Sequence, residues 1–140
     1  MTEEMRKTEN LVVNPPEMAK AVGFSHAVVA GPGRTVYLAG QVSFDPESRV
    51  VGESWVEQFD VALGNLMTAL AGAGGRPDHM VWMQIFTVDV PAYRAARAEL
   101  GPIYQRHMGR HYPAMSLLGL SELADEGALL EITGIAVIPD

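Results

Sequence analysis

Cysteine is absent from the 140-residue sequence, and so is any long apolar run. Without cysteine the chain can form no disulfide, no thiolate metal site and no cysteine nucleophile. No apolar stretch approaches the ~18 residues that a transmembrane helix requires. Residues 1–10 are charged and lack the apolar core of a signal peptide. These absences predict a soluble cytoplasmic protein that has no membrane partner.

Positive charge is also scarce, because 10 Lys and Arg stand against 17 Asp and Glu, giving a net charge of −7. Nucleic-acid-binding proteins draw much of their affinity from basic patches, so this balance disfavours RNA or DNA as a partner. His107 and His111 have helical spacing, but no third ligand completes a metal motif. The glycines at 72–75 follow a helix pattern, whereas a phosphate-binding loop precedes one. The sequence predicts neither a metal nor a cofactor.

The rest of the composition is that of an ordinary globular protein, with 48% hydrophobic and 19% charged residues. A chain of this length fits one domain that buries about two-thirds of its unfolded surface. Residues 1–20 are predicted to form an N-terminal arm, because Asn14, Pro15 and Pro16 interrupt any regular element. Residues 21–140 are predicted to form the domain.

The spacing of the apolar residues predicts five strands and two helices. Ser54 and Glu57 have the capping-box pattern that starts a helix, and the glycines and proline at 71–77 end that helix. Residues 31–34 indicate a turn, so the first two strands are expected to pair as a β-hairpin. The predicted strands are 26–30, 35–39, 80–90, 114–120 and 129–138, and the predicted helices are about 54–70 and 91–107.

The resulting order, β-β-α-β-α-β-β, predicts an α+β fold: a single two-layer domain in which two helices cover one face of a mixed sheet. Residues 81–88 and 129–137 are apolar at both strand parities. The second sheet face would therefore expose apolar side chains to water unless something covered it. Another copy of the chain would supply that cover, so the sequence predicts an oligomer.

One carboxylate interrupts the last apolar strand, where Glu131 lies between Leu130 and Ile132. Carboxylates rarely occupy buried strands unless they are paired or used in chemistry, because removing the charge from water is costly. A structural carboxylate bonded to a neighbouring backbone group or cation is the alternative. We interpret Glu131 as the candidate catalytic residue, suited to general acid–base work.

Six local sequences occur in a fixed order along residues 22–137. They are Gly23-Phe24-Ser25-His26-Ala27, Leu38-Ala39-Gly40-Gln41-Val42, the helix pattern at 59–66 with its exit at 70–75, Val88-Asp89-Val90, Tyr112-Pro113-Ala114 and the strand at 130–136. Together they resemble the RidA family, also called YjgF or L-PSP proteins. Each motif is weak alone, and the six in order are specific.

The resemblance implies the RidA (chorismate-mutase-like) fold and a homotrimer whose sheets pack into a central barrel. Three small-molecule clefts would lie between neighbouring subunits. Better-known members hydrolyse enamines and imines, such as 2-aminoacrylate, to 2-keto acids and ammonia. In them an arginine after a Pro-Ala pair grips the substrate carboxylate, and a glutamate on the last strand positions or activates water. The resemblance places Glu131 on that glutamate and Gly40 on a backbone cradle.

The sequence departs from the family pattern at the position that binds the substrate carboxylate and at two positions near it. Met115 occupies the arginine position, Leu117 replaces a small polar residue or cysteine, and Phe24 replaces the cleft tyrosine. Methionine cannot hold a carboxylate, so a less anionic or bulkier substrate is expected. Arg106 or Arg110 could supply a cation from another backbone position. The predicted substrate-binding residues are Phe24, Ser25, Gly40, Met115, Ser116 and Leu117.

Two function classes stay open. The first is an enamine or imine hydrolase in which Glu131 is the acid or base and backbone N–H groups near Gly40 or Ser116 polarise the substrate. The second is a non-catalytic ligand-binding or regulatory trimer, in which Met115 marks the loss of the chemistry. Endoribonuclease activity follows from an older family name. It is disfavoured by the acidic charge and by the lack of a histidine–lysine pair near Glu131.

Overall fold

The computed structural model describes residues 9–140. Four strands form a mixed sheet in the order β3-β6-β4-β5, and both helices lie on one of its faces. The strands are β1 (Leu11–Val13), β2 (Ala27–Val29), β3 (Gly33–Gln41), β4 (Met80–Thr87), β5 (Ala114–Gly119) and β6 (Leu130–Pro139); the helices are α1 (Trp55–Gly72) and α2 (Val90–Met108), with a 3-10 turn at Pro77–His79. The predicted α+β two-layer fold is confirmed.

Strand β6 is the central element of the sheet. It pairs antiparallel with β3 on one side and with β4 on the other, and β5 joins β4 in parallel. Leu130 and Ile132 of β6 have no exposed surface and belong to the core under the helices. Because successive side chains of a strand point to opposite faces, the residues between them face away from the helices.

Helix α1 begins where its capping residues predict. The Ser54 hydroxyl accepts a hydrogen bond from the Glu57 N–H at 3.1 Å, and the Glu57 carboxylate accepts one from the Glu53 N–H at 3.0 Å. One face of the helix then packs on the sheet through buried residues at helical spacing, which are Phe59, Leu63, Leu66 and Leu70.

Hydrogen bonds inside the core fix the start of β6 against α1. The Trp55 indole N–H donates to the Thr87 hydroxyl at 2.9 Å, and that hydroxyl donates to the Leu129 carbonyl at 2.8 Å. The Gln58 carboxamide accepts from the Leu129 N–H at 2.8 Å and donates to the Gly127 carbonyl at 3.1 Å. Buried polar groups are costly unless they are paired. These bonds therefore hold the backbone just before Glu131 in one place.

Helix α2 and the first strands differ in how well the sequence predicted them. Asp89 caps α2 by accepting from the Ala92 N–H at 3.0 Å, so the helix begins beside Pro91 as predicted. The predicted β-hairpin is wrong: β2 pairs with β1, and β3 pairs with β6. β1 lies inside the segment predicted as an arm. The predicted turn at residues 31–34 is wrong in its bounds, because β3 already begins at Gly33; residues 30–32 lead the chain from one sheet into another.

The sheet face away from the helices carries exposed apolar residues. We call it the open face, and its residues in register are Tyr37, Trp82, Gln84, Phe86, Ser116, Leu118, Glu131, Thr133 and Ile135. Tyr37 is 78% exposed and Leu118 is 48% exposed. Neither helix of the described chain is long and apolar enough to span a bilayer.

The two helices are joined by an ionic contact on the opposite side of the molecule. Nη2 of Arg106 and Nε2 of His107, both in the last turn of α2, each lie 2.6 Å from Oδ1 of Asp60 on α1. Partial burial favours a raised pKa for Asp60. The hydrogen bonds from His107 and Arg106 outweigh it, so the pKa lies below its ordinary value of 3.8.

We expect Asp60→Asn to lower the free energy of unfolding by less than ~1 kcal/mol near neutral pH, because the pair is exposed to solvent. A lowered folded-state pKa stabilises the protein fully above the unfolded pKa, and this stabilisation is lost as the pH falls through the folded pKa. Wild type and variant should therefore differ more in urea unfolding at pH 6 than at pH 3. An equal difference at both values would contradict the assignment.

Candidate functional site

Glu131 lies on the open face because of the strand alternation of β6. Its neighbours Leu130 and Ile132 are buried under the helices, and Glu131 itself is half-buried. Across the sheet it stands opposite Phe86 of β4, which stands opposite Leu118 of β5. Within residues 9–140 its carboxylate forms no salt bridge. Among the described residues Glu131 is therefore not held in a structural ion pair.

Gly40 lies directly against this carboxylate. Between Leu38 and Gln41 the register of β3 on β6 shifts, so that Ala39 and Gly40 together oppose Thr133. Such a β-bulge inserts an extra residue and locally bends the strand. A Cβ at position 40 would lie 2.7 Å from Cδ and 2.8 Å from Oε2 of Glu131. Only glycine lets the backbone pass this close to the carboxylate.

Ser25 fixes the N-terminal segment to the outer edge of β5. It forms a parallel bridge with Ala114, and its N–H donates to the Pro113 carbonyl at 3.0 Å. Its hydroxyl donates to the Tyr112 carbonyl at 2.5 Å, and the residue is only 4% exposed. The hydroxyl of Ser25 is thus already used in holding the segment in place.

Phe24 is carried to the same edge by Ser25. It is half-buried and packs edge to face on His26, with ring centroids 5.2 Å apart. The His26 ring in turn lies 2.7 Å from the Ala19 carbonyl oxygen through Nε2. Both predicted residues of this segment therefore lie beside the start of β5.

The three predicted residues of β5 do not share one face. Met115 and Leu117 stand opposite Met83 and Ile85 and pack against the core under the helices. Ser116 points to the open face, where its hydroxyl accepts a hydrogen bond from the Gln84 carboxamide at 3.1 Å. Of the three, only Ser116 shares a sheet face with Glu131. Gln84 was not predicted, although its position on an otherwise apolar strand was a usable signal.

The structure thus divides the predicted residues of one protomer into two groups. The carboxylate half-site is Gly40 with Glu131, on β3 and β6. The edge half-site is Phe24 and Ser25 with residues 115–117, at β5. Strand β4 lies between β6 and β5, so the two groups are about two interstrand spacings, or ~10 Å, apart.

Neither of the two candidate replacements for the missing arginine forms a salt bridge with Glu131. Arg106 is bound to Asp60 on the helix layer, as described above. Arg110 is exposed in the turn after α2. His111 is also separate from His107, since its Nε2 lies 2.7 Å from the Met80 carbonyl oxygen. Among the described residues no cation accompanies Glu131 on the open face.

Two surface grooves of the protomer lie away from both half-sites. The first is formed by the N-terminal segment with His26, and the second by Asn10, Arg76 and His79 with the end of β6. Neither is lined by Glu131, Gly40 or Ser116.

Comparison with known proteins identifies the family. A family model described as endoribonuclease L-PSP matches residues 15–138. Protein DfrA of Myxococcus xanthus is 30% identical over 135 residues, covering 95% of this chain and 99% of the relative. The 2-iminobutanoate/2-iminopropanoate deaminase of Homo sapiens is 26% identical over 128 residues, covering 90% and 88%.

The solved structures agree with this result. The Rid-family protein YyfB of Yersinia pestis, whose function is described as unknown, superposes with a TM-score of 0.80 at 32% identity. The match covers 93% of this chain and 99% of that one. With a family model over most of its length and the same two-layer fold, the chain belongs to the endoribonuclease L-PSP family, also known as the RidA or YjgF family.

Proposed function

We propose that the chain is a homotrimeric hydrolase of enamines or imines, with Glu131 as its acid and base and with its sites between subunits. The observation that carries the proposal is the Glu131 carboxylate. It lies on an apolar face without a counter-ion among the described residues and against the bare backbone of Gly40. The deaminase names of relatives such as the human protein support the reaction class.

The open face supports assembly from several copies. Exposed apolar patches on a protomer mark contact surfaces, and this one includes Tyr37 and Leu118. The outer edges of β3 and β5 pair with no other strand of the described chain, apart from the bridge at Ser25. An edge of unpaired N–H and C=O groups is a template for another strand. Docking the β5 edge of one copy beside the β3 edge of the next joins an edge half-site to a carboxylate half-site.

The chemistry needs one group that can take and return a proton. The Glu131 carboxylate accepts a proton from a water molecule while the water oxygen bonds to the carbon of the C=N group. Glu131 returns this proton to nitrogen, which gives the neutral carbinolamine. It then accepts the proton of the carbinolamine hydroxyl and passes it to nitrogen as the C–N bond breaks, so a carbonyl compound and ammonia leave. An enamine first becomes the imine by gaining a proton at its β-carbon and losing one from nitrogen. Backbone N–H groups near Gly40 or Ser116 polarise the substrate. No cofactor enters this balance.

The substrate is less anionic than a 2-imino acid. A bidentate guanidinium contributes charge-assisted hydrogen bonds of roughly 1.5–3 kcal/mol to a carboxylate. Met115 supplies none, and it packs into the core instead of standing free at the edge. A carboxylate docked beside Glu131 would also face like charge.

The same placement of Met115 favours a second candidate, a ligand-binding trimer without turnover. Met115 and Leu117 both pack on the core, so the edge half-site keeps its shape but offers no cation at these two positions to bind an acidic substrate. If Met115→Arg gains turnover of 2-imino acids that wild type lacks, the non-catalytic function is favoured. Salt-dependent RNA cleavage would instead favour endoribonuclease activity, from which the family takes one of its names.

Removing the Glu131 charge should abolish turnover. Imines can be generated in situ by an amino-acid oxidase from leucine or phenylalanine, and by a flavin amine oxidase from benzylamine, which carries no carboxylate. We expect faster ammonia release with wild type, most clearly for the benzylamine imine, and a loss of at least ~100-fold in Glu131→Gln. Glu122→Gln removes an exposed carboxylate outside the site and serves as the control. Equal rates in all three proteins would refute catalysis by Glu131.

A charge on the open face should break the assembly. In light scattering, wild type should have three times the 15.1 kDa chain mass. Tyr37→Glu places a carboxylate where the side chain is 78% exposed in the protomer, so the protomer should lose less than ~0.5 kcal/mol while the trimer dissociates. Turnover should fall with the trimer. A trimeric and active Tyr37→Glu would contradict the use of this face.

A methyl group at position 40 should displace the carboxylate. Gly40→Ala puts Cβ within 2.8 Å of Glu131, closer than van der Waals contact allows. Because the contacting atoms are the far end of a flexible side chain, we expect a stability loss of less than about 1 kcal/mol and a rate loss approaching ~100-fold from misplacement of the reacting group. Gly101→Ala meets no atom within 4 Å in helix α2 and should leave the rate unchanged. Equal rates for both variants would exclude a role for the close approach.

A further inference from the structure

Three polar residues form a row across the open face. Thr133 of β6 stands opposite Gln84 of β4, which stands opposite Ser116 of β5. The rows on either side are largely apolar, apart from Glu131 itself. They contain Phe86 and Leu118 on one side, and Trp82 and Ile135 on the other. Polar groups on a face that becomes covered must find hydrogen-bond partners, so this row is placed where a partner is expected.

The hydrogen bond within the row has a direction. The Gln84 carboxamide N–H donates to the Ser116 oxygen at 3.1 Å. A serine hydroxyl has one proton to donate and two lone pairs with which to accept. With a lone pair occupied by Gln84, the Ser116 proton is free to be donated to a third group. Ser116 lies on the edge strand β5, so that group can come from outside the protomer.

We propose that Gln84 is a positioning residue that presents the Ser116 hydroxyl as a donor to an uncharged carbonyl oxygen of the ligand. The inference rests on the proposed ligand site and names its substrate class. That class is an imine or enamine with an amide or ester carbonyl beside the reacting carbon. A single neutral donor suits such a carbonyl, whereas a carboxylate would keep an unbalanced charge near an apolar edge.

The pair could otherwise serve only to tie β4 to β5. That role predicts lower stability when the bond is lost and no change in ligand preference. The two roles are therefore separated by comparing two product analogues of nearly the same shape, pyruvamide and pyruvate, which differ in charge. Their dissociation constants can be measured by ligand-observed NMR titration of the intact oligomer, without any turnover.

Wild type should bind pyruvamide more tightly than pyruvate. Ser116→Ala should raise the dissociation constant of pyruvamide about tenfold and that of pyruvate much less. The reason is that the lost hydrogen bond is one that only the amide carbonyl is proposed to accept. Gln84→Glu keeps the side-chain shape, but a carboxylate can only accept hydrogen bonds. Ser116 should then donate its proton to this carboxylate, and pyruvamide affinity should fall about as much as in Ser116→Ala. Combining Ser116→Ala with Gln84→Glu should lower pyruvamide affinity no further than either change alone. Ser116→Thr should retain the preference, and Thr133→Val, in the same row without this bond, should stay within about twofold.

The results separate this proposal from the proposed reaction. Loss of preference in Ser116→Ala and Gln84→Glu supports the donor role even if Glu131→Gln leaves turnover unchanged, in which case only the hydrolase fails. Unchanged pyruvamide affinity in both variants overturns the donor role and leaves a structural bond. Failure of wild type to bind pyruvamide, or a preference for pyruvate, overturns it as well.

Discussion

The antiparallel pairing of β6 on both of its sides is the constraint on which the rest of the structure depends. Two partners fix its register, and the register decides the face of every side chain. Leu130 and Ile132 enter the core only if Glu131 faces the other way. A slip of one residue would bury the carboxylate under the helices and expose the leucine and isoleucine. The same pairing that closes the core therefore places the Glu131 carboxylate on the face that the helices leave open.

The bulge in β3 brings the backbone of Gly40 directly against the Glu131 carboxylate. On this bulged backbone, any side chain at position 40 would enter the space that the Glu131 carboxylate occupies. The bulge and the glycine together bring bare backbone to the carboxylate, which no substitution could do without moving one of them. The core bonds of Trp55, Thr87 and Gln58 hold the preceding backbone still. These bonds fix the backbone before Glu131, whose carboxylate forms no salt bridge among the described residues.

Local patterns predicted the helices and the strand positions, because capping residues and apolar spacing act within a few residues. Ser54 starts α1 as the sequence indicates, and α2 begins beside Pro91. The hairpin failed because strand pairing is a long-range choice: β2 found a partner in Leu11–Val13, and β3 crossed to the C-terminal strand. The separation of Met115 and Leu117 from Ser116 has a similar cause. The motif names the positions, but only the register with β4 tells which of them face the core.

Assembly and chemistry depend on the same surface. A carboxylate fully exposed to water gains little from its surroundings, and one buried without a partner is costly. The open face lies between these limits while the protomer is alone, since Glu131 is half-buried beside exposed apolar side chains. Covering this face with another copy would remove water from the carboxylate and bring an edge half-site to it in one step. Because Met115 offers no cation, the proposed ligand would be recognised by shape and neutral hydrogen bonds, and the hydrogen-bonded pair Gln84 and Ser116 lies on the face where the proposal places them.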